Sequence, residues 1–192
     1  MALLESVLDK SINLLIEVAP KLARLPKNER DYYRMKVDET YRLFDEVIML
    51  MMNRLGTIIS IVDSNEEEFF RQLRLLNNVE EWVQRERDVR LCKPISDALR
   101  EMESILPKIK AKLSLQDDDE VGRMFAVMAS GRGSFADYIT ESLKTLTELE
   151  ERQPHSHQRY LEAREVVKKK YDEFRQKRKE LIGAEMELYD AV

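Results

Sequence analysis

Residues 32–62 read YYRMKVDETYRLFDEVIMLMMNRLGTIISIV, and this stretch decides the fold. Tyr33, Val37, Tyr41, Phe44, Ile48, Met51, Leu55, Ile58 and Val62 follow one another at steps of three and four. That spacing returns to one face of an α-helix and to neither face of a strand. In its second half, Met49, Met52, Ile59 and Ile61 add apolar groups on other faces. A helix that is apolar nearly all round needs partners on several sides, so this one is expected to run through the middle of a helical bundle.

Outward from it, the same period recurs. Upstream, Leu4, Leu8, Ile12, Leu15, Ala19 and Leu22 form one stripe over residues 3–24, with Pro20 expected to bend or shorten that helix. Asn28, with Asp31 three residues on, is the expected cap of the long helix. Downstream, Asp63-Ser64-Asn65 before Glu66-Glu67-Glu68 marks another start, because carboxylates are favoured at the positive end of the helix dipole. Phe69, Leu73, Leu76, Val79 and Val83, with Trp82 alongside, continue to a break expected near Pro94.

A fourth helix is predicted from Pro94, through Ile95, Leu99, Met102, Leu106, Ile109 and Leu113, kinked at Pro107. Val121, Phe125 and Met128 suit a short helix before Ser130-Gly131-Arg132-Gly133. Ser134 and Asp137 can then box the start of a run carrying Phe135, Ile139, Leu143, Leu146 and Leu149. Pro154 ends that run, and Ser156 can cap a last helix carrying Tyr160, Ala163, Val167, Tyr171, Phe174, Leu181 and Leu188. The chain of 192 residues therefore reads as one all-α domain, an elongated antiparallel bundle of five or six helices. The last helix, about 156–190, is free to protrude.

Composition supports that reading and removes several functions. Only 5 Gly and 5 Pro punctuate a chain that is 36% charged, whereas sheets draw on frequent turns. A net charge of −5 disfavours a nucleic-acid partner, since neutralising phosphates calls for net positive charge. Cys92, the single cysteine, cannot form an intramolecular disulfide and suits a reducing, cytoplasmic setting. The amino-terminal stretch MALLESVLDKSINLLIEVAPKL has no basic leader, and Glu5, Asp9, Lys10 and Glu17 break its apolar runs, so it reads as neither signal nor span.

No set of residues suggests catalysis. His155 and His157 are the only histidines, and no third metal ligand is tied to them by spacing. Inward glutamates with Glu-x-x-His pairs would mark a di-iron bundle, and that pair is missing from the sequence. Ser130-Gly131-Arg132-Gly133-Ser134 lacks the Gly-Lys-Ser/Thr ending of a phosphate loop and is read as a helix break. No cofactor, metal or small-molecule substrate is expected, and the chain is read as a non-enzyme.

Two features suggest surfaces. Met35, Met49, Met51, Met52 and Met102 supply unbranched, polarisable side chains that suit either an adaptable groove or core filling. Lys168, Lys169, Lys170, Arg175, Lys177, Arg178 and Lys179 concentrate positive charge against Asp172 and Glu173. On a helical wheel, Lys168, Arg175 and Lys179 flank the apolar face on one side and Lys170 and Lys177 on the other, while Arg178 falls within it. The cluster could meet an anionic membrane or an acidic partner, or simply cover the core edge with its methylenes. The expected function is a protein–protein interaction or scaffold module, self-associating or not. The alternative is peripheral membrane binding through the basic last helix and the amphipathic first one.

Overall fold

The computed structural model describes residues 3–61, 65–76, 86–113, 143–146, 148–149 and 156–190, and all the regular structure among them is α-helix. In chain order the helices are α1 (Leu3–Leu22), α2 (Lys27–Ile59), α3 (Glu66–Leu75), α4 (Glu86–Leu113) and α5 (His157–Asp190). Residues 143–146 and 148–149 are also helical, and Leu143 and Leu146 are buried in the same core as the long helices. At about 1.5 Å per residue, α2 and α5 each reach about 50 Å, which sets the length of the bundle.

The stripe in α2 is buried from Tyr33 through Ile58, and the helix touches α1, α3, α4 and α5. Its closest association is with α5, and the two run antiparallel. Tyr160 and Arg164 near the start of α5 reach the carbonyls of Ile61 and Ile59 at the end of α2. Arg178 meets Asp45, and Tyr189 meets Asp38, so the partner in α2 moves back toward its start as α5 advances. One face of α5 is buried from Tyr160 to Leu188, so its carboxyl end is held against the bundle.

α4 covers the first half of α2, through Lys36 to Glu101 at 2.9 Å and Lys112 to Glu29. α3 lies at the other end, where Phe69 sits edge-on to Tyr160 with ring centroids 5.0 Å apart. α1 closes the remaining side, with the Tyr41 hydroxyl donating to the Ser11 carbonyl and Lys177 of α5 paired with Asp9.

Several boundaries differ from the sequence expectation. The cap of α2 lies two residues earlier than Asn28, at Pro26, with φ −53° and ψ 143°. No side-chain cap forms; the Pro26 carbonyl accepts from Glu29 and Arg30 at 3.0 and 2.9 Å instead. A proline already fixed at that φ needs no amide partner of its own, so it can open the helix. α3 starts after Asn65 with its three glutamates in the first turn, as expected, again without a side-chain cap.

α4 starts at Glu86 and runs through both Pro94 and Pro107 rather than breaking at the first. Both prolines face solvent, where water can satisfy the freed carbonyl. On the other face, Met102, Ile105, Leu106 and Ile109 are buried and hold the helix to the core. Pro20 likewise faces out, and α1 continues past it to Leu22. Ser156 does cap α5, accepting from the Arg159 amide at 3.3 Å. The side chains of Leu4, Leu15, Cys92, Ile95 and Leu99, and residues 62–64, 77–85, 114–142 and 150–155, lie outside the described residues. That range takes in Val79, Trp82, Val83, the glycine break after Ser130, the Ser134–Asp137 box and His155.

Candidate functional site

The basic cluster of α5 is divided by the fold. Arg178, which the helical wheel places inside the apolar face, is turned into the α2–α5 seam and grips Asp45 with two hydrogen bonds of 2.7 and 3.3 Å. That carboxylate raises the affinity of the guanidinium for its proton further. Lys177 bridges to Asp9 of α1 and Glu180; burial opposes its charge, and these two carboxylates outweigh the burial and raise its pKa. Lys170 lies along the core edge, 5.5 Å from the Phe174 ring centroid and 3.4 Å from Glu173. Lys168, Lys169, Arg175 and Lys179 are exposed and make no ion pair among the described residues.

Lys168, Arg175 and Lys179 recur at helical spacing on the flank of α5 nearer α2, and Ile182 and Met186 extend the same line. Ile182 is 36% and Met186 61% exposed. Tyr189, 47% exposed, ends this apolar strip and donates its hydroxyl to Asp38 of α2, while Arg34 covers its ring at 5.4 Å. The bond to Asp38 holds the Tyr189 proton more firmly than in an ordinary phenol.

Asp38 also borders an open groove of about 730 Å³ between α2 and α4. Met35, Leu43, Pro94 and Ala98 supply its apolar lining; Asp38, Glu39, Glu46, Asp97 and Glu101 supply carboxylates, with Arg42 the one cation among the lining residues. Lys36 draws Glu39 and Glu101 together at 3.3 and 2.9 Å, and the bond to Glu101 does most to raise its pKa. Asp97 pairs with Arg100 at 3.3 Å, whereas Glu46 makes no ion pair among the described residues. The methionines separate accordingly. Met51 and Met102 are core, Met49 and Met52 are half-buried, and Met35 is 54% exposed in the groove.

This surface was only partly visible in the sequence. Met35 and the basic residues were candidates; Ile182, Met186, Tyr189 and the acidic rim were not. A signal for the strip exists, since Ile182, Met186 and Tyr189 stand one position out of step with the buried Leu181 and Leu188. His157 is the first residue of α5, and its Nδ1 lies 2.6 Å from Glu66 Oε1, joining α5 to α3. No cluster of three or more His, Cys, Asp or Glu able to hold a metal occurs among the described residues. Among them, no helix is long and apolar enough to cross a membrane. Comparison with protein families, curated proteins and solved structures yields no match to this chain.

Proposed function

We propose that this chain is a non-enzymatic protein-interaction module of the cytoplasm, working through the face made by α4, α2 and the carboxyl-terminal part of α5. The carrying observation is the grouping on that face of Met35, Ile182, Met186 and Tyr189, each at least about a third exposed, beside an open groove with a charged rim. Apolar side chains kept together at the surface, with charge around them, are a mark of protein contact sites.

Membrane binding has less support. Lys170, Lys177 and Arg178 are engaged within the chain, and Asp172 is exposed among the remaining cations. A lipid surface gains about 1 kcal/mol for each base near it, so every sequestered base weakens that reading.

Photo-crosslinking side chains placed at Met35 or Met186 in the native host test the proposal. Discrete crosslinked protein species are expected at these two positions and not at Gln176, which is exposed on another side of α5. Identical patterns at all three positions would overturn it.

A further inference from the structure

The same face is charged oppositely at its two sides. On one side lies the groove with its five carboxylates; Lys36 and Arg100 pair with Glu39, Glu101 and Asp97, while Asp38 and Glu46 make no ion pair among the described residues. On the other runs the line of Lys168, Arg175 and Lys179, with Lys169 beside it, all exposed and without an ion pair among the described residues. Ile182, Met186 and Tyr189 continue the basic line toward the end of α5, and the Tyr189–Asp38 bond joins this apolar strip to the groove wall.

We infer that this face is the interface of a two-fold symmetric dimer of the chain. A two-fold axis brings a patch onto its own copy, so the patch must complement itself under that rotation. An axis passing through the apolar strip would set each copy's Lys168–Lys179 line against the other copy's groove. Two acid–base contacts would form at once, with Ile182 and Met186 withdrawn from water between them. Charge complementarity selects a second copy over an unrelated basic peptide: both halves of the required match are on this one surface, each adjoining the apolar strip. The groove sits beside the 178–189 region of α5 and the basic line occupies 168–179, so the halves are offset along the bundle as well as across it. Paired copies would therefore overlap rather than stack end to end. The dimer rests on the interaction reading above and specifies its partner.

Sedimentation equilibrium of the full chain tests it. The mass should approach twice that of the monomer at low salt, and the dimer should dissociate as salt shortens the screening length from about 10 Å at 0.1 M to about 3 Å at 1 M. Two charge-reversed variants are informative: Lys168→Glu/Arg175→Glu/Lys179→Glu on the basic line, and Glu46→Lys/Asp97→Lys in the groove. Each alone should raise the dimer dissociation constant at least about tenfold, since like charges would face each other. An equimolar mixture should recover the dimer, because the reversed line of one variant then matches the reversed groove of the other.

Met35→Gln/Met186→Gln removes apolar surface without altering charge and should also weaken the dimer, which guards against a charge variant that fails to fold. The inference is overturned by an unmodified chain that stays monomeric at low salt. It is equally overturned by helical variants that dimerise unchanged, or by a mixture that stays monomeric. Binding of the monomer to phosphatidylserine vesicles with no dimer at low salt would also overturn it. A monomeric chain that still gives site-specific crosslinks to other proteins at Met35 would sink the dimer alone and leave the interaction reading standing.

Discussion

The seam between α2 and α5 is built differently at its two ends. Where α5 begins, Tyr160 is fully buried against Phe69, Phe69 stands edge-on to Phe70 at 5.5 Å, and Leu55, Ile58 and Leu73 are buried in the same core. Where α5 finishes, the same pair of helices meets through Arg178–Asp45, Tyr189–Asp38 and Arg34 over the Tyr189 ring. The first end is enclosed by α3, and apolar contact holds it. The second opens onto the groove, and there charged and hydroxyl groups flank the buried Leu181, Ala184 and Leu188. Charge pairs fix register without requiring enclosure, so the polar end can border solvent. The apolar groups left exposed there, Met35 and Met186, contribute little burial to the fold.

The sharpest way to break this contrast is to truncate both ends. Phe69→Ala or Tyr160→Ala should cost about 3–5 kcal/mol in chemical denaturation, and Leu55→Ala or Ile48→Ala about 2–5 kcal/mol, as usual for buried side chains that leave cavities. Met186→Ala at the open end should change stability by no more than about 0.5 kcal/mol, the normal range for surface positions. Equal losses at the two ends would show that the open face is part of the core.

Asp45→Ala measures the polar end directly. It leaves Arg178 without its fork of hydrogen bonds, in a seam where the two side chains are 34% and 29% exposed. Solvent at that exposure screens the pair, so a loss of about 1 kcal/mol is expected rather than the several of a fully buried ion pair. The loss should shrink as salt is added. A larger, salt-independent loss would place Arg178 in a drier environment than its exposure indicates.

The asymmetry also explains what could be read from the sequence. The central position of α2 was legible because its stripe is long and uninterrupted, and Arg178 was legible as an intruder on the apolar face of α5. The helix starts were less so. Pro26, not Asn28, opens α2, because a backbone carbonyl can do what a side-chain cap would. α4 passes Pro94 because the residues that hold it, from Met102 to Ile109, lie further along the chain, and their packing outweighs a local preference. The groove was least legible. Asp38, Glu46, Asp97 and Glu101 come from two helices, and only antiparallel packing brings them to one rim. No local spacing records that meeting, and the same holds for Asp9, far from Lys177 in sequence and paired with it in the fold.

Glu185 gives the finest test of the polar end. Burial, then Asp38 and Asp45 of α2, raise its pKa above the ordinary 4.5, and Arg42 opposes them only in part. The folded chain therefore holds a proton on Glu185 at pH values where the unfolded chain has released it. The sign follows from linkage: stability falls with rising pH wherever the folded state binds more protons. The contribution is fully present below the ordinary carboxylate range and is lost as pH rises through the raised value. Glu185→Gln keeps the shape of the protonated acid and cannot ionise. It should match the unmodified chain in melting temperature at acidic pH and exceed it at neutral pH. The group is only partly buried, so solvent screening keeps the difference below about 1 kcal/mol, roughly a degree or two for a chain of this size. Melting curves of the two proteins across that pH range provide the measurement. A difference that is constant with pH would mean that folding leaves the proton affinity of Glu185 unchanged; one that favours the unmodified chain at neutrality would mean that Glu185 is paired with Arg42 rather than crowded by Asp38 and Asp45. The polar end would then be a balanced ion network in which Arg42 offsets Glu185 as well as the carboxylates of α2.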